Sequence, residues 1–332
     1  MAKNRPAQHV LIAAAIQLLM SSSSMAQPQM SSPERLLKQA IERAEILSGA
    51  YSRASRERGE PLQGNVLANY GVKEHRCTAL GTLLGWQPSI EALKEILNDE
   101  GPPPPTEKAD NDSELSSQKI YLDNFVRNAR FTLEEPDDER AISWNLDCVG
   151  YFGIPGEAAV RGPISRAKLR VEDDTLIVLG DIEAGFAEEF ARAVATNSKI
   201  KRVTISSGGG GLAEAIRAGY MIRALRLDTE LYGNCFSACV FLFMGGVERR
   251  IWRPYPDLGF HQVSTDHGDV SPGNKVYTGI GDFADAMGVN RRFVLAAMFA
   301  AKPEDMYASD IFDLCDNHVV TFIQGLRAPG QC

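Results

Sequence analysis

The chain reads as an α/β protein with a mainly parallel sheet and flanking helices, preceded by a small helical N-terminal region. Three observations carry that reading. Residues 168–179, 203–205 and 229–232 are short apolar or β-branched runs, and helix-patterned stretches at 185–197 and 212–227 lie between them. Residues 33–59 show helical periodicity with charges on the outer face, upstream of a proline-rich break. Strand and helix in alternation imply a parallel sheet covered by helices, whose ligand sites lie beyond the carboxyl ends of the strands.

Taken in order, residues 1–26 read as a signal peptide. Lys3 and Arg5 precede an apolar run from Val10 to Met20, and Ser24-Met25-Ala26 is a small-residue cleavage site. The run is shorter than the roughly 20 residues a bilayer span needs, so no stable membrane span is expected after cleavage and the mature protein is placed in the periplasm or outside the cell; the competing reading of the segment is an uncleaved membrane anchor. Residues 27–100 form the helical N-terminal region, with Ser89 to Asn98 as a further helix. Gly101 to Glu114 is a Pro-rich, acidic linker, and 115–140 is a connecting helix. From Ala141 to Cys332 the texture is that of the α/β domain: Ile142 to Val149 read as strand, 168–179 as a hairpin turning at Asp173-Asp174, and two late helices fall near 282–287 and 291–301.

Composition narrows the partners. Lys and Arg total 35 against 43 Asp and Glu, a net charge of −8 in 332 residues, which argues against a nucleic-acid partner. Six cysteines, all downstream of the signal segment, point to disulfides in an exported protein, but six allow about 15 pairings. Cys235 and Cys239 are either a local disulfide or two small buried side chains. Their spacing is not C-x-x-C and no His/Cys pair stands beside them, so no metal is expected, and no cofactor either.

The chemistry concentrates between Val203 and Val263. The strand Val203-Thr204-Ile205 runs through Ser206-Ser207 into four glycines, Gly208 to Gly211, and then into a helical pattern from Leu212. Glycine amides at such a corner suit a developing oxyanion, although a plain flexible turn explains the same letters. Further on, Thr229 to Tyr232 form a strand, Gly233-Asn234 turn the chain, and Cys235-Phe236-Ser237-Ala238-Cys239 leads into the apolar Val240 to Met244. Ser237 sits either as a nucleophile on a strand-to-helix corner or as a helix cap. His261, 24 residues downstream in Leu258-Gly259-Phe260-His261, supplies the imidazole that a serine nucleophile uses as its base.

The ordered set ISSGGGG, CFSAC and LGFHQ resembles the Clp-protease proteolytic-subunit superfamily within the wider Clp/crotonase fold, over residues 168–325. It looks closest to periplasmic Clp-protease-like proteins with a C-x-S-A-C element. The resemblance implies Ser237 as nucleophile, His261 as general base, and the Gly209, Gly210 and Ala238 amides as oxyanion hole. It also implies an acidic orienter after the histidine, for which Asp305 fits and Asp310 is the reserve; either acid also suits a helix start. The chain departs from the family at Gly208, where proline is usual, and a looser loop is expected there.

The expected function is that of an exported serine hydrolase, a peptidase or protease acting on peptide or protein substrates. Clp subunits form rings, so a homo-oligomer is also implied. A rival reading is a catalytically silent periplasmic binding or scaffold protein on the same fold. An acyl-CoA enzyme of crotonase type is disfavoured, because CoA chemistry is cytoplasmic and does not need a Ser/His pair.

Overall fold

The computed structural model describes residues 32–59, 72–102, 114–160, 166–252, 256–324 and 330–332. The expected signal peptide, residues 1–26, and most of the expected linker lie outside the described residues.

The N-terminal region consists of α1 (Ser32–Glu57), α2 (Val72–Leu83), α3 (Gln87–Asn98) and α4 (Glu114–Glu134). Their apolar stripes close on one another: Leu37, Leu47, Leu93 and Phe125 are wholly buried in a core of their own. The α3 helix opens with Pro88 in its first turn, where the missing N–H is not needed.

One expectation fails here. Residues 142–149 are not strand: α5 (Asp137–Ser143) continues into a π-helical segment, Trp144–Tyr151. The stretch is apolar enough to be buried, and a short apolar run does not distinguish a buried strand from a buried helix. Tertiary restraint decides. The Cys77–Cys148 disulfide ties the segment to α2, and the Trp144 indole donates to the Ala158 carbonyl at 2.7 Å.

The sheet begins with the hairpin of β1 (Lys168–Glu172) and β2 (Thr175–Leu179) and turns where the sequence indicates, with Asp173 in the left-handed region. Next come α6 (Phe186–Thr196), β3 (Arg202–Ser207), α7 (Leu212–Ala224), β4 (Asp228–Phe236), α8 (Cys239–Met244), β5 (Arg249–Trp252) and β6 (Leu258–Phe260). A two-stranded ribbon, β7 (Ser264–Thr265) with β8 (Gly268–Asp269), leads to α9 (Lys275–Ala286) and α10 (Arg291–Phe299). The chain ends through β9 (Tyr307–Ala308), α11 (Ile311–Asp316), β10 (Phe322–Gln324) and β11 (Gly330–Gln331), with a Cys315–Cys332 disulfide. The strand order is β1-β2-β3-β4-β5-β10-β11. Neighbours from β2 to β10 run parallel, and the two outer pairs are antiparallel.

Strand β4 has two partners beyond β3. Its first half pairs with β5 at Thr229 and Glu230, and its last residues, Cys235 and Phe236, pair with β6 at Leu258 and Gly259. Gly233 and Asn234, which read as a turn in sequence, instead lie inside β4. Between Ile205↔Leu231 and Ser207↔Cys235, four steps on β4 answer two on β3, so residues 232–234 form a bulge. A bulge bends the strand without leaving the sheet, which is why the turn residues are there.

Helix α8 is buried along its whole length, and α7 packs closely on it. A Cβ at Gly219 would come within 2.6 Å of the Phe241 carbonyl oxygen, and one at Gly245 within 2.5 Å of the Gly219 oxygen. This apolar packing fixes the far side of the corner at residue 237. Residues Ser32–Cys332 form one compact unit.

Candidate active site

The site is built at the carboxyl ends of β3, β4 and β6. After β3, Gly209 and Gly210 adopt φ of 111° and 120°, conformations that other L-residues avoid. The turn is held on both sides: Ile182 donates its N–H to the Gly209 carbonyl at 2.7 Å, and Gly211 donates to the Ile182 carbonyl at 2.6 Å. The Asp181 carboxylate accepts from the Gly208 backbone, and burial pushes that carboxyl above its usual range. A proline at 208 has no N–H to offer Asp181. With Gly208 in that place, the turn is tied to residues 181 and 182 by three hydrogen bonds.

Ser237 occupies the corner between β4 and α8 with φ of 56°. A serine held in the left-handed region stores roughly 1–3 kcal/mol that the surroundings must offset. They do so on three sides. The Ser237 N–H donates to the Gly259 carbonyl at 2.9 Å, the Cys235–Cys239 disulfide spans the corner, and Gly209 leaves room for it. A Cβ on Gly209 would lie 2.6 Å from the Ser237 Cβ.

His261 follows β6 and shares with Ser237 a cavity of about 250 Å³, lined also by Gly210, Ala238, Phe241 and Met298. Its loop is anchored by Gln262 N–H to the Ala301 carbonyl at 3.1 Å and by Val263 N–H to the Tyr277 hydroxyl at 3.0 Å. Helix α9 and the turn just after α10 thus hold the loop that follows the histidine. The His261 Nδ1 lies 2.6 Å from the Gln262 carbonyl oxygen. A carbonyl only accepts, so Nδ1 carries a proton, and in the neutral ring the lone pair is on Nε2.

The structure brings together Ser237, His261, Gly210 and Ala238. Among the described residues, the Gly210 and Ala238 amides donate to no backbone acceptor, whereas the Gly209 N–H is taken by the Ser207 Oγ at 3.1 Å. No hydrogen bond joins Ser237 to His261 among the described residues. Neither acidic candidate reaches the imidazole: Asp305 is solvent-exposed, and Asp310 caps α11 through the Phe312 N–H at 2.8 Å. Sequence reasoning missed Ile182 and the Gln262 carbonyl because both act through backbone atoms, which leave no residue-type signal. Among the described residues, no group of three or more His, Cys, Asp or Glu side chains has the arrangement of a metal site.

No family model matches this chain, and neither does any curated protein. Solved structures do. ClpP1 from Listeria monocytogenes is 16% identical with a TM-score of 0.37, the match covering 47% of this chain and 93% of that one. A point mutant of the same protein matches with the same identity and coverage at a TM-score of 0.36. A structure described only as that of an enzyme is 12% identical, covering 46% of this chain and 96% of its own, with a TM-score of 0.36.

A larger, open groove of about 710 Å³ lies along α1 and α4, lined by Glu45, Asp123, Arg127 and Arg130 among others. Its one side-chain hydroxyl, that of Ser48, donates to the Asp123 carboxylate at 2.5 Å, and no imidazole lines it. Among the described residues, no helix is long and apolar enough to cross a membrane.

Proposed function

We propose that the protein is a serine hydrolase of the Clp-protease-like class that cleaves peptide or protein substrates in an oxidising compartment, the periplasm or the cell exterior. The observation that carries the proposal is the left-handed Ser237 at a strand-to-helix corner, in one cavity with an imidazole whose Nδ1 is already committed. The three disulfides support the compartment.

In the proposed reaction, His261 Nε2 takes the Ser237 proton as Oγ attacks the substrate carbonyl carbon. The carbonyl π pair moves onto oxygen, and the Gly210 and Ala238 amides hold that oxyanion. Gly209 shapes the loop, its own N–H being turned to Ser207 in the resting state. Collapse expels the amine, which takes the proton back from His261, and water then releases the acyl group by the same route. The Gln262 carbonyl, rather than Asp305, keeps the imidazole in the working tautomer. A neutral carbonyl stabilises the imidazolium less than a carboxylate does, so turnover slower than that of a full triad is expected.

One observation favours the silent-scaffold reading: the resting structure shows no hydrogen bond between Ser237 and His261 among the described residues. Labelling of the oxidised, signal-free protein with a fluorophosphonate decides between the two. Hydrolase function requires that the wild type label and that Ser237→Ala and His261→Ala do not. A folded wild type that fails to label is a scaffold.

A further inference from the structure

The β4 bulge places Asn234 three residues before the nucleophile and turns its side chain across two elements. Its Oδ1 accepts the Asp257 N–H at 2.9 Å, and its Nδ2 donates to the Asp147 Oδ1 at 3.2 Å. Asp257 is the residue before β6, four positions before His261, and its carbonyl accepts the Cys235 N–H at 3.0 Å. Asn234 therefore cross-links the strand that carries Ser237 to the strand that carries His261, where the two leave for the site.

From Asp147 the link reaches the N-terminal region through α2. Asp147 is wholly buried on the π-helical segment, with the Arg76 guanidinium of α2 at 3.9 Å. Arg76, 2% exposed, pairs with both oxygens of Glu135 at 2.8 and 2.6 Å, and Glu135 accepts from the Tyr232 hydroxyl in the same bulge at 2.6 Å. Tyr151 closes the cluster by donating its hydroxyl to the Asp257 carboxylate. The buried charges are thus paired and hydrogen-bonded. Breaking one member leaves another uncompensated, which makes such clusters well suited to fixing a geometry.

We infer that Asn234 and Asp147 are positioning residues through which the N-terminal helical region sets the spacing of Ser237 and His261. The inference rests on the hydrolase reading for its catalytic consequence. The geometric link between Asn234 and the His261 loop stands apart from that reading and is measurable without turnover.

The test is a polarity exchange in the full mature chain. Asn234→Asp sets a second carboxylate against Asp147, and adding Asp147→Asn restores a donor facing an acceptor. The rate of fluorophosphonate labelling and the NMR ring resonances of His261 are followed for both, with thermal unfolding to establish that the protein is folded. Positioning predicts labelling about tenfold slower in Asn234→Asp, a shifted His261 resonance, and recovery of both in the exchanged protein, the rate to within about threefold. Should Asn234→Asp fail to fold, Tyr151→Phe removes one hydroxyl from the same cluster and is read identically. A folded single variant with wild-type labelling and an unmoved His261 resonance overturns the inference. A wild type that does not label overturns the hydrolase reading instead, and the His261 resonance then decides the link alone.

Discussion

His261 Nδ1 is held 2.6 Å from the carbonyl oxygen of Gln262, its own neighbour in the chain. The tautomer that general-base catalysis needs is therefore set by the backbone, without a carboxylate. Asp305, exposed and away from the imidazole, is expected to be dispensable. Asp305→Asn should label within about threefold of wild type, while His261→Ala should lose roughly 10²–10⁴-fold, the usual contribution of a general base. Parallel labelling rates check both, and a collapse of rate in a folded Asp305→Asn protein would restore the acid to the site.

The glycine turn makes the second prediction. Gly209→Ala forces a side chain to 2.6 Å from the Ser237 Cβ and 2.8 Å from the Phe236 oxygen, at a φ of 111°. A destabilisation of about 1–3 kcal/mol is expected, and the labelling rate should fall on the order of 100-fold in the folded fraction. Thermal unfolding and labelling, measured on one preparation, separate the two effects.

The disulfides divide stability from activity. Cys77 and Cys148 are 71 residues apart and Cys235 and Cys239 four apart. Loop-closure entropy then assigns about 4 kcal/mol to the first bond and about 2 kcal/mol to the second. Replacing the first pair with serine should lower the unfolding midpoint more, yet replacing the second should slow labelling more, because that bond spans Ser237. Equal effects of both on labelling of folded protein would count against a bracing role.

Buried His75 makes acid stability a readout of the helical region. Burial, and then the Arg127 cation, lower its pKa from 6.5 to about 4. The unfolded chain binds the proton more readily, so the stability contributed by the neutral imidazole is fully present above pH 6.5 and is lost as pH falls toward 4. The slope is about 1.4 kcal/mol per pH unit across that window. His75→Leu should flatten the dependence of the unfolding midpoint between pH 6.5 and 4. An unchanged slope would assign the acid sensitivity to other groups.

Much of the α/β region was legible because periodicity and glycine punctuation report burial and backbone freedom directly. The hairpin at Asp173-Asp174, the strand into Gly208 to Gly211 and the helix from Leu212 fall where patterning puts them. The misreadings share one cause. Residues 142–149 and Gly233-Asn234 have local preferences that a disulfide, a buried carboxylate and a neighbouring strand override. Helix α2 carries little amphipathic signal, and its place is set by contacts from α3 and α4 that no window of sequence contains.

The sequence alone determined the residue types available for chemistry, namely a serine between two cysteines, a later histidine and a glycine run, because side-chain identity and backbone permissiveness are local properties. Only the tertiary structure decided which of them meet. It put Gly210 and Ala238 in the cavity, turned the Gly209 amide to Ser207, gave His261 a carbonyl for a partner and left Asp305 in solvent. Those outcomes depend on strand register and on backbone donors and acceptors, which every residue carries and no sequence pattern distinguishes.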